Sequence, residues 1–178
     1  MLLQRNLFRF NCTIFGFRFS KDTSMKNLLE LTLKTRKAFY YILKNTPREE
    51  LLKIPDGYNN NIWWNIAHIV STQQALVYGL SGLQILIPQE LKDNFKKGTV
   101  PDGSATDVEI EQVKGLLFST IEKSIEDYEN GLFKNFKEYP TSAGITLMNL
   151  EDAISFNLFH EGLHLGTIFS LQKAVKLQ

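Results

Sequence analysis

The sequence predicts an all-α protein folded as one four-helix bundle. Three observations predict it. Four stretches carry apolar residues at helical spacing or begin at helix caps. No stretch shows the alternation of a convincing strand. One long connection, between the second and third helices, supplies the crossover that one class of bundle uses. The 178 residues match one ordinary domain, and 43% apolar with 22% charged residues is a globular composition. The net charge of +1, without a long basic run, argues against a nucleic-acid partner. No apolar run approaches the roughly 20 residues that span a bilayer, which argues against a membrane protein. The single cysteine, Cys12, excludes an internal disulfide and makes a reducing, cytoplasmic setting the natural expectation.

Residues 1–24 differ from the rest. They hold Arg5, Arg9, Arg18 and Lys21 against Asp22 alone, together with Phe8, Phe10, Phe15, Phe17 and Phe19. The segment lacks a continuous apolar stretch followed by a small-residue cleavage site. It reads as an N-terminal extension outside the native fold, and residues 25–178 as the bundle domain.

The first helix is expected from Met25 to Asn45, with Leu28, Leu31, Thr35, Ala38, Phe39 and Ile42 on the inner face. Lys26, Lys34, Arg36, Lys37 and Lys44 mostly fall elsewhere. Pro47 ends it, because the residue before a proline avoids helical angles. Asn59-Asn60-Asn61 supplies the cap of a second helix over Ile62–Leu80, with Trp64, His68, Ser71, Ala75 and Tyr78 inward. From Leu83 to Ala105 the chain holds Pro88, Gly98, Pro101 and Gly103, a long connection with one short helix at Gln89–Phe95. Thr106 and Glu109 form a capping box that opens the third helix, which runs to about Asn130. Its solvated side is expected to hold Glu109, Glu111, Lys114, Glu122, Lys123, Glu126 and Asp127. After a loop at residues 139–144, Asn149 caps the fourth helix, with Glu151 and Asp152 at its positive end and Lys173 and Lys176 at its negative end.

The chain has three histidines. His160 and His164, four apart, stack on one face of the fourth helix about 6 Å apart along its axis. Ala153, Phe156, Asn157, Thr167 and Leu171 share that face. His68 lies mid-way along the inner stripe of the second helix. Each alone reads as a core histidine. Together they present three imidazoles whose nitrogens all need partners, and one divalent metal ion would satisfy a nitrogen of each. His160-Glu161-Gly162-Leu163-His164 also matches H-E-x-x-H, in which Glu161 would be the general base of a metallopeptidase. That helix wants a third ligand downstream, and no Asp, Glu or His follows His164.

The stretch Asn61-Ile62-Trp63-Trp64-Asn65-Ile66-Ala67-His68, with Gln73-Gln74 and Tyr78-Gly79-Leu80, resembles the second-helix signature of the DinB-like (DinB/YfiT) superfamily. Phe159-His160-Glu161-Gly162-Leu163-His164-Leu165-Gly166 resembles its fourth-helix motif. The resemblance implies an up-down-down-up four-helix bundle, often dimeric. It implies a divalent metal, zinc or nickel, held by His68, His160 and His164. Family members of known activity are thiol-dependent transferases or isomerases that take a low-molecular-weight thiol. Three neutral imidazoles leave an ion most of its charge and an open position, where the pKa of a thiol or of water falls. A metal-dependent thiol transferase-like enzyme is therefore the leading expectation, with the thiol supplied from outside. A non-catalytic metal or small-molecule binding module and a metal-dependent hydrolase are the alternatives. Glu161, turned about 100° from His160 on the helix, is expected to support the site at most.

Overall fold

Caps and helix-ending glycines set the lengths of the elements. A computed structural model describes residues 21–177; residues 1–20, most of the expected extension and Cys12 with it, lie outside the described residues. The order is α1 (Lys21–Asn45), α2 (Arg48–Leu52), α3 (Ile62–Gln74, continued by a π turn over Ala75–Gly79), α4 (Gln89–Asn94), α5 (Asp107–Glu129), β1 (Tyr139–Pro140), β2 (Thr146–Leu147) and α6 (Leu150–Leu177). Asn61 Oδ1 accepts the Trp64 amide at 2.8 Å and starts α3. Thr106 and Glu109 close the expected capping box at α5, and Asn149 Oδ1 accepts the Asp152 amide at 2.9 Å to start α6. The π turn and α5 both end on a left-handed glycine, Gly82 (φ 71°) and Gly131 (φ 64°). In each case the following amide, of Leu83 or Leu132, bonds back five residues to Tyr78 or Asp127.

Side-chain pairings fix the helix directions. Lys26 near the start of α1 bonds Glu129 at the end of α5, so these two run antiparallel. Gln73 reaches Ser124 and Tyr78 reaches Asp127, so α3 and α5 run parallel. Asn65 meets His164 while Leu76 clusters with Ala153, so α3 and α6 are antiparallel. Met25 clusters with Ile154 and Arg36 bonds Glu161, so α1 and α6 are parallel. The result is an up-down-down-up bundle, and the connection carrying α4 spans the two "down" helices. Among the described residues, no helix is long and apolar enough to cross a membrane.

The inner stripe of α1 differs from the expected one. Met25, Leu29, Thr32, Arg36, Phe39 and Leu43 are buried, at alternating spacings of four and three, and Leu31 is exposed. Arg36 is the reason. It sits in the middle of the true stripe, and counting it as polar moves the apparent apolar face sideways. Its guanidinium, 0% exposed, is neutralised by Glu161. On α5, Asp127 is likewise buried rather than solvated, accepting from Tyr78 Oη at 2.8 Å and pairing with Lys123 at 2.9 Å. Helix α3 is buried almost all round rather than along one stripe, with Thr72 the only half-buried residue between Ile62 and Gln74. Leu91 of α4, Phe95 and Ile87 pack in the cluster that holds Trp63 and Ile66, so the long connection covers the side of α3 that the bundle leaves open. Of the two-residue strands of the 139–147 hairpin, β1 falls in the expected 139–144 loop and β2 just after it, and both are too short to leave an alternating pattern.

Helix α6 is apolar on more than one side. Phe159, Leu163 and Phe169 are about half exposed, and no charged residue is exposed between Asp152 and Lys173.

Candidate metal centre

The N-cap of α3 and the register of α6 bring the three histidines together. The capped start of α3 places His68 two turns in, facing α6. On α6, His160 and His164 are one turn apart and look back at it. One ring nitrogen from each of the three lies within 4.8 Å of the others. Nε2 of His160 and Nε2 of His164 are 3.1 Å apart, and the ring centroids of His68 lie 5.2 Å and 4.8 Å from theirs. No other His, Cys, Asp or Glu joins this group among the described residues. His68 is 5% exposed, and the other two are half-buried.

The outer partners decide which nitrogen each ring offers. His68 Nδ1–H donates to the Phe95 carbonyl at 2.6 Å, which puts the ring's lone pair on Nε2. His164 Nδ1–H donates to Asn65 Oδ1 at 2.7 Å, with the same consequence. The Asn65 amide cannot flip without loss, because its Nδ2 already donates to Asn60 Oδ1 at 2.9 Å and to the Asn61 carbonyl at 2.7 Å. The asparagine turn that caps α3 therefore also orients a histidine on α6. His160 has no such support, and its buried Nδ1 is unpartnered. Trp64 stacks on His68 with centroids 4.5 Å apart and planes 11° apart, its indole N–H held by Thr99 Oγ1 at 3.0 Å. Thr72 Oγ1 lies 3.2 Å from His68 Nε2.

Burial holds all three rings neutral. It lowers the His68 pKa, and together with the smaller effect of the neighbouring imidazoles it brings His160 to about 4 and His164 to about 3. The donor set suits a divalent cation: three neutral imidazoles, two of them locked with the lone pair on Nε2. A tetrahedral ion with metal–nitrogen bonds near 2.0–2.1 Å sets its ligand nitrogens roughly 3.3 Å apart, close to the His160–His164 spacing. The depressed values also make a prediction for metal-free protein. An unfolded imidazole titrates near 6.5. Below that pH the unfolded chain takes up protons that the folded one refuses, so stability falls. The fall begins as pH drops through about 6.5 and continues to about 4 for His160 and about 3 for His164. Urea midpoints of chelator-treated protein should decline steadily from pH 7 to pH 4. A flat profile over that window would contradict the neutral, buried cluster.

The H-E-x-x-H glutamate points elsewhere. Glu161 is 1% exposed and accepts from Arg36 Nη2 at 2.8 Å, Arg36 Nε at 3.2 Å and Asn157 Nδ2 at 2.8 Å. Its carboxylate is committed to the core on the α1 side of α6. Sequence reasoning did not find Asn65 or the Phe95 carbonyl as partners of the histidines. A backbone carbonyl has no residue signature, and Asn65 serves a histidine 99 positions away, which no local spacing marks; Thr72, with Ser71, is visible in the sequence as lying a turn from His68, but no acid there completes a triad.

A cavity of about 300 Å³ lies beside Trp64 and Phe95, the residues that stack on and bond His68; its wall also holds Asp93, Asp102 and Glu109, and none of the histidines. Another, of about 600 Å³, lies among Lys26, Glu129, Phe133 and Leu150 and contains none of the histidines. In comparisons with known proteins, the sequence model of the DinB superfamily matches residues 31–168, most of the chain, a span that includes all three histidines. No curated protein matches the chain.

Proposed function

We propose, proceeding from the fact that this chain belongs to the DinB superfamily, that it holds a divalent metal ion, zinc or nickel, on His68, His160 and His164 and uses it as a thiol transferase-like enzyme. The observation that carries this reading is the set of three imidazole nitrogens, all within 4.8 Å of one another, with no fourth protein ligand among the described residues. A divalent ion held there supplies Lewis acidity, which lowers the pKa of a thiol or water that reaches it. The chain's own residues do the rest. Phe95 and Asn65 fix two of the three rings, so little reorganisation accompanies ligand binding. Trp64 stacks on His68 and gives the cluster one apolar wall. The thiol comes from outside, because no cysteine is found among the described residues.

A second reading, a non-catalytic metal or small-molecule binding module, is favoured by the absence of a free carboxylate in the histidine cluster. The same observation weighs against a hydrolase, since Glu161 is held by Arg36. We place the contact of a homodimer on the uncharged outer face of α6 around Phe159 and Leu163, which sedimentation equilibrium would test. The activity itself is tested by loading purified protein with zinc or nickel and following consumption of a small thiol with a soft electrophile. Conjugation that needs the metal and stops with chelator is the expected result. Full metal occupancy without conjugation for any thiol and electrophile tried would favour the binding module.

A further inference from the structure

His68 has one lone pair and two claimants for it. Its Nδ1 faces the Phe95 carbonyl at 2.6 Å, and a carbonyl only accepts, so Nδ1 carries the hydrogen and Nε2 the lone pair. Thr72 Oγ1 lies 3.2 Å from that Nε2, so the hydroxyl donates to it. The bond sets Thr72 apart from the other helical threonines described beyond residue 24. Thr32, Thr120 and Thr167 each donate to the carbonyl four residues back, at 2.9, 2.6 and 3.1 Å, and Thr35 donates to the carbonyl three back at 3.0 Å. That is the ordinary habit of a helical threonine. Thr72 instead aims its hydroxyl at a histidine nitrogen of the cluster. It is also the one half-buried residue in an otherwise buried helix, so it stands where the cluster meets the outside.

We infer that Thr72 is a ligand-binding residue: its hydroxyl hydrogen-bonds the sulfur or oxygen atom of a small exogenous ligand on the open side of the metal. The inference rests on the reading of the three histidines as metal ligands. A cation on Nε2 takes the lone pair that Thr72 uses, and the hydroxyl is released. Being β-branched, Thr72 has few rotamers to move into, so its O–H stays beside the cluster and finds its acceptor in the incoming ligand. For a thiol the acceptor is sulfur, whose proton has passed to solvent. The hydroxyl thus satisfies His68 in the metal-free protein and the ligand in the loaded one, and no donor is left unpaired in either state.

Cobalt(II) makes both events visible, because its visible absorption reports coordination. Wild type, Thr72→Val and Thr72→Ser are loaded with cobalt and titrated with 2-mercaptoethanol, with circular dichroism confirming the fold. The expected result is equal cobalt stoichiometry in all three, thiol binding about 10-fold weaker in Thr72→Val, the loss of one hydrogen bond to an ionised group, and near wild-type binding in Thr72→Ser. Equal thiol affinity in Thr72→Val and wild type would overturn the role of Thr72 while leaving the metal site standing. Loss of cobalt from Thr72→Val alone would also overturn it, by making the hydroxyl a ligand of the ion. A wild type that takes no cobalt would remove the histidine site and this inference together.

Discussion

His164→Ala is expected to abolish stoichiometric metal binding, with zinc or nickel content in the purified variant near zero. His164 supplies one of three nitrogens, and its partner His160, only 3.1 Å away, is the least supported ring of the set. Two imidazoles, one of them free to turn, make a weak site for a divalent ion. The loss also has a thermodynamic readout. A ligand that binds only the folded state stabilises it by about 2.7 kcal/mol when present at 100 times its Kd. Added zinc should therefore raise the melting temperature of the wild type by several degrees and leave that of His164→Ala unchanged. A packing role alone predicts something different: a fixed destabilisation of at most about 2–4 kcal/mol, typical of buried truncations, with no dependence on metal or chelator. Equal response to chelator in both proteins would leave the histidines as core residues.

The second large effect concerns Arg36. Arg36→Leu should destabilise the fold by about 3–5 kcal/mol, because it strands the Glu161 carboxylate in the core. Arg36 and Glu161 are 0% and 1% exposed on their side chains, so neither charge has water to turn to. The guanidinium also donates to the Leu117 carbonyl at 3.1 Å and to Thr120 Oγ1 at 2.8 Å, which ties α5 into the same junction. Glu161→Leu should cost a similar amount by stranding the arginine. The double variant Arg36→Leu/Glu161→Leu should recover much of the loss, since replacing both members of a buried pair with apolar groups is often near neutral. Urea denaturation of the four proteins measures this cycle. Metal content should survive in every variant that folds. If Glu161→Leu instead folds normally and loses its metal, Glu161 belongs to the site and the H-E-x-x-H reading returns.

Much of the frame was legible because it is written in local signals. Pro47, Asn61, Thr106 with Glu109, and Asn149 mark helix ends through bonds that span three or four residues. The histidine cluster was legible because His160 and His164 share a face at i, i+4 and His68 sits on an inward position. What stayed hidden depends on residues far apart in the chain. Arg36 and Glu161 are 125 positions apart, and each alone looks like a solvated charge. The all-round burial of α3 depends on where the 83–105 connection lies, which its prolines and glycines do not encode. The Phe95 carbonyl and the Asn65 amide act on the histidines through a backbone group and a turn that serve other elements as well.

The bilateral apolar character of α6 bears on how the chain chooses one fold among its competitors. Turning α6 about its axis would bury Phe159 and Leu163, both now more than half exposed, and hydrophobic burial alone would favour that rotamer of the bundle. A row of polar groups opposes it. From the Leu86 amide the bonds run through Gln74 and Gln73 to Ser124, and from Arg36 they reach Thr120, Glu161 and Asn157. Ser124 and Thr120 are themselves joined, the serine hydroxyl donating to the threonine carbonyl at 2.7 Å, so the row touches all four long helices. Its bonds form only at one rotation and one height of each helix. A turned or slipped α6 would leave Arg36 without its carboxylate, and a buried group left unpaired costs more than an apolar side chain gains. The row therefore acts as a lock that admits a single key. Greasy surface supplies the drive to collapse, and the buried polar seam selects the one arrangement in which the three imidazoles meet.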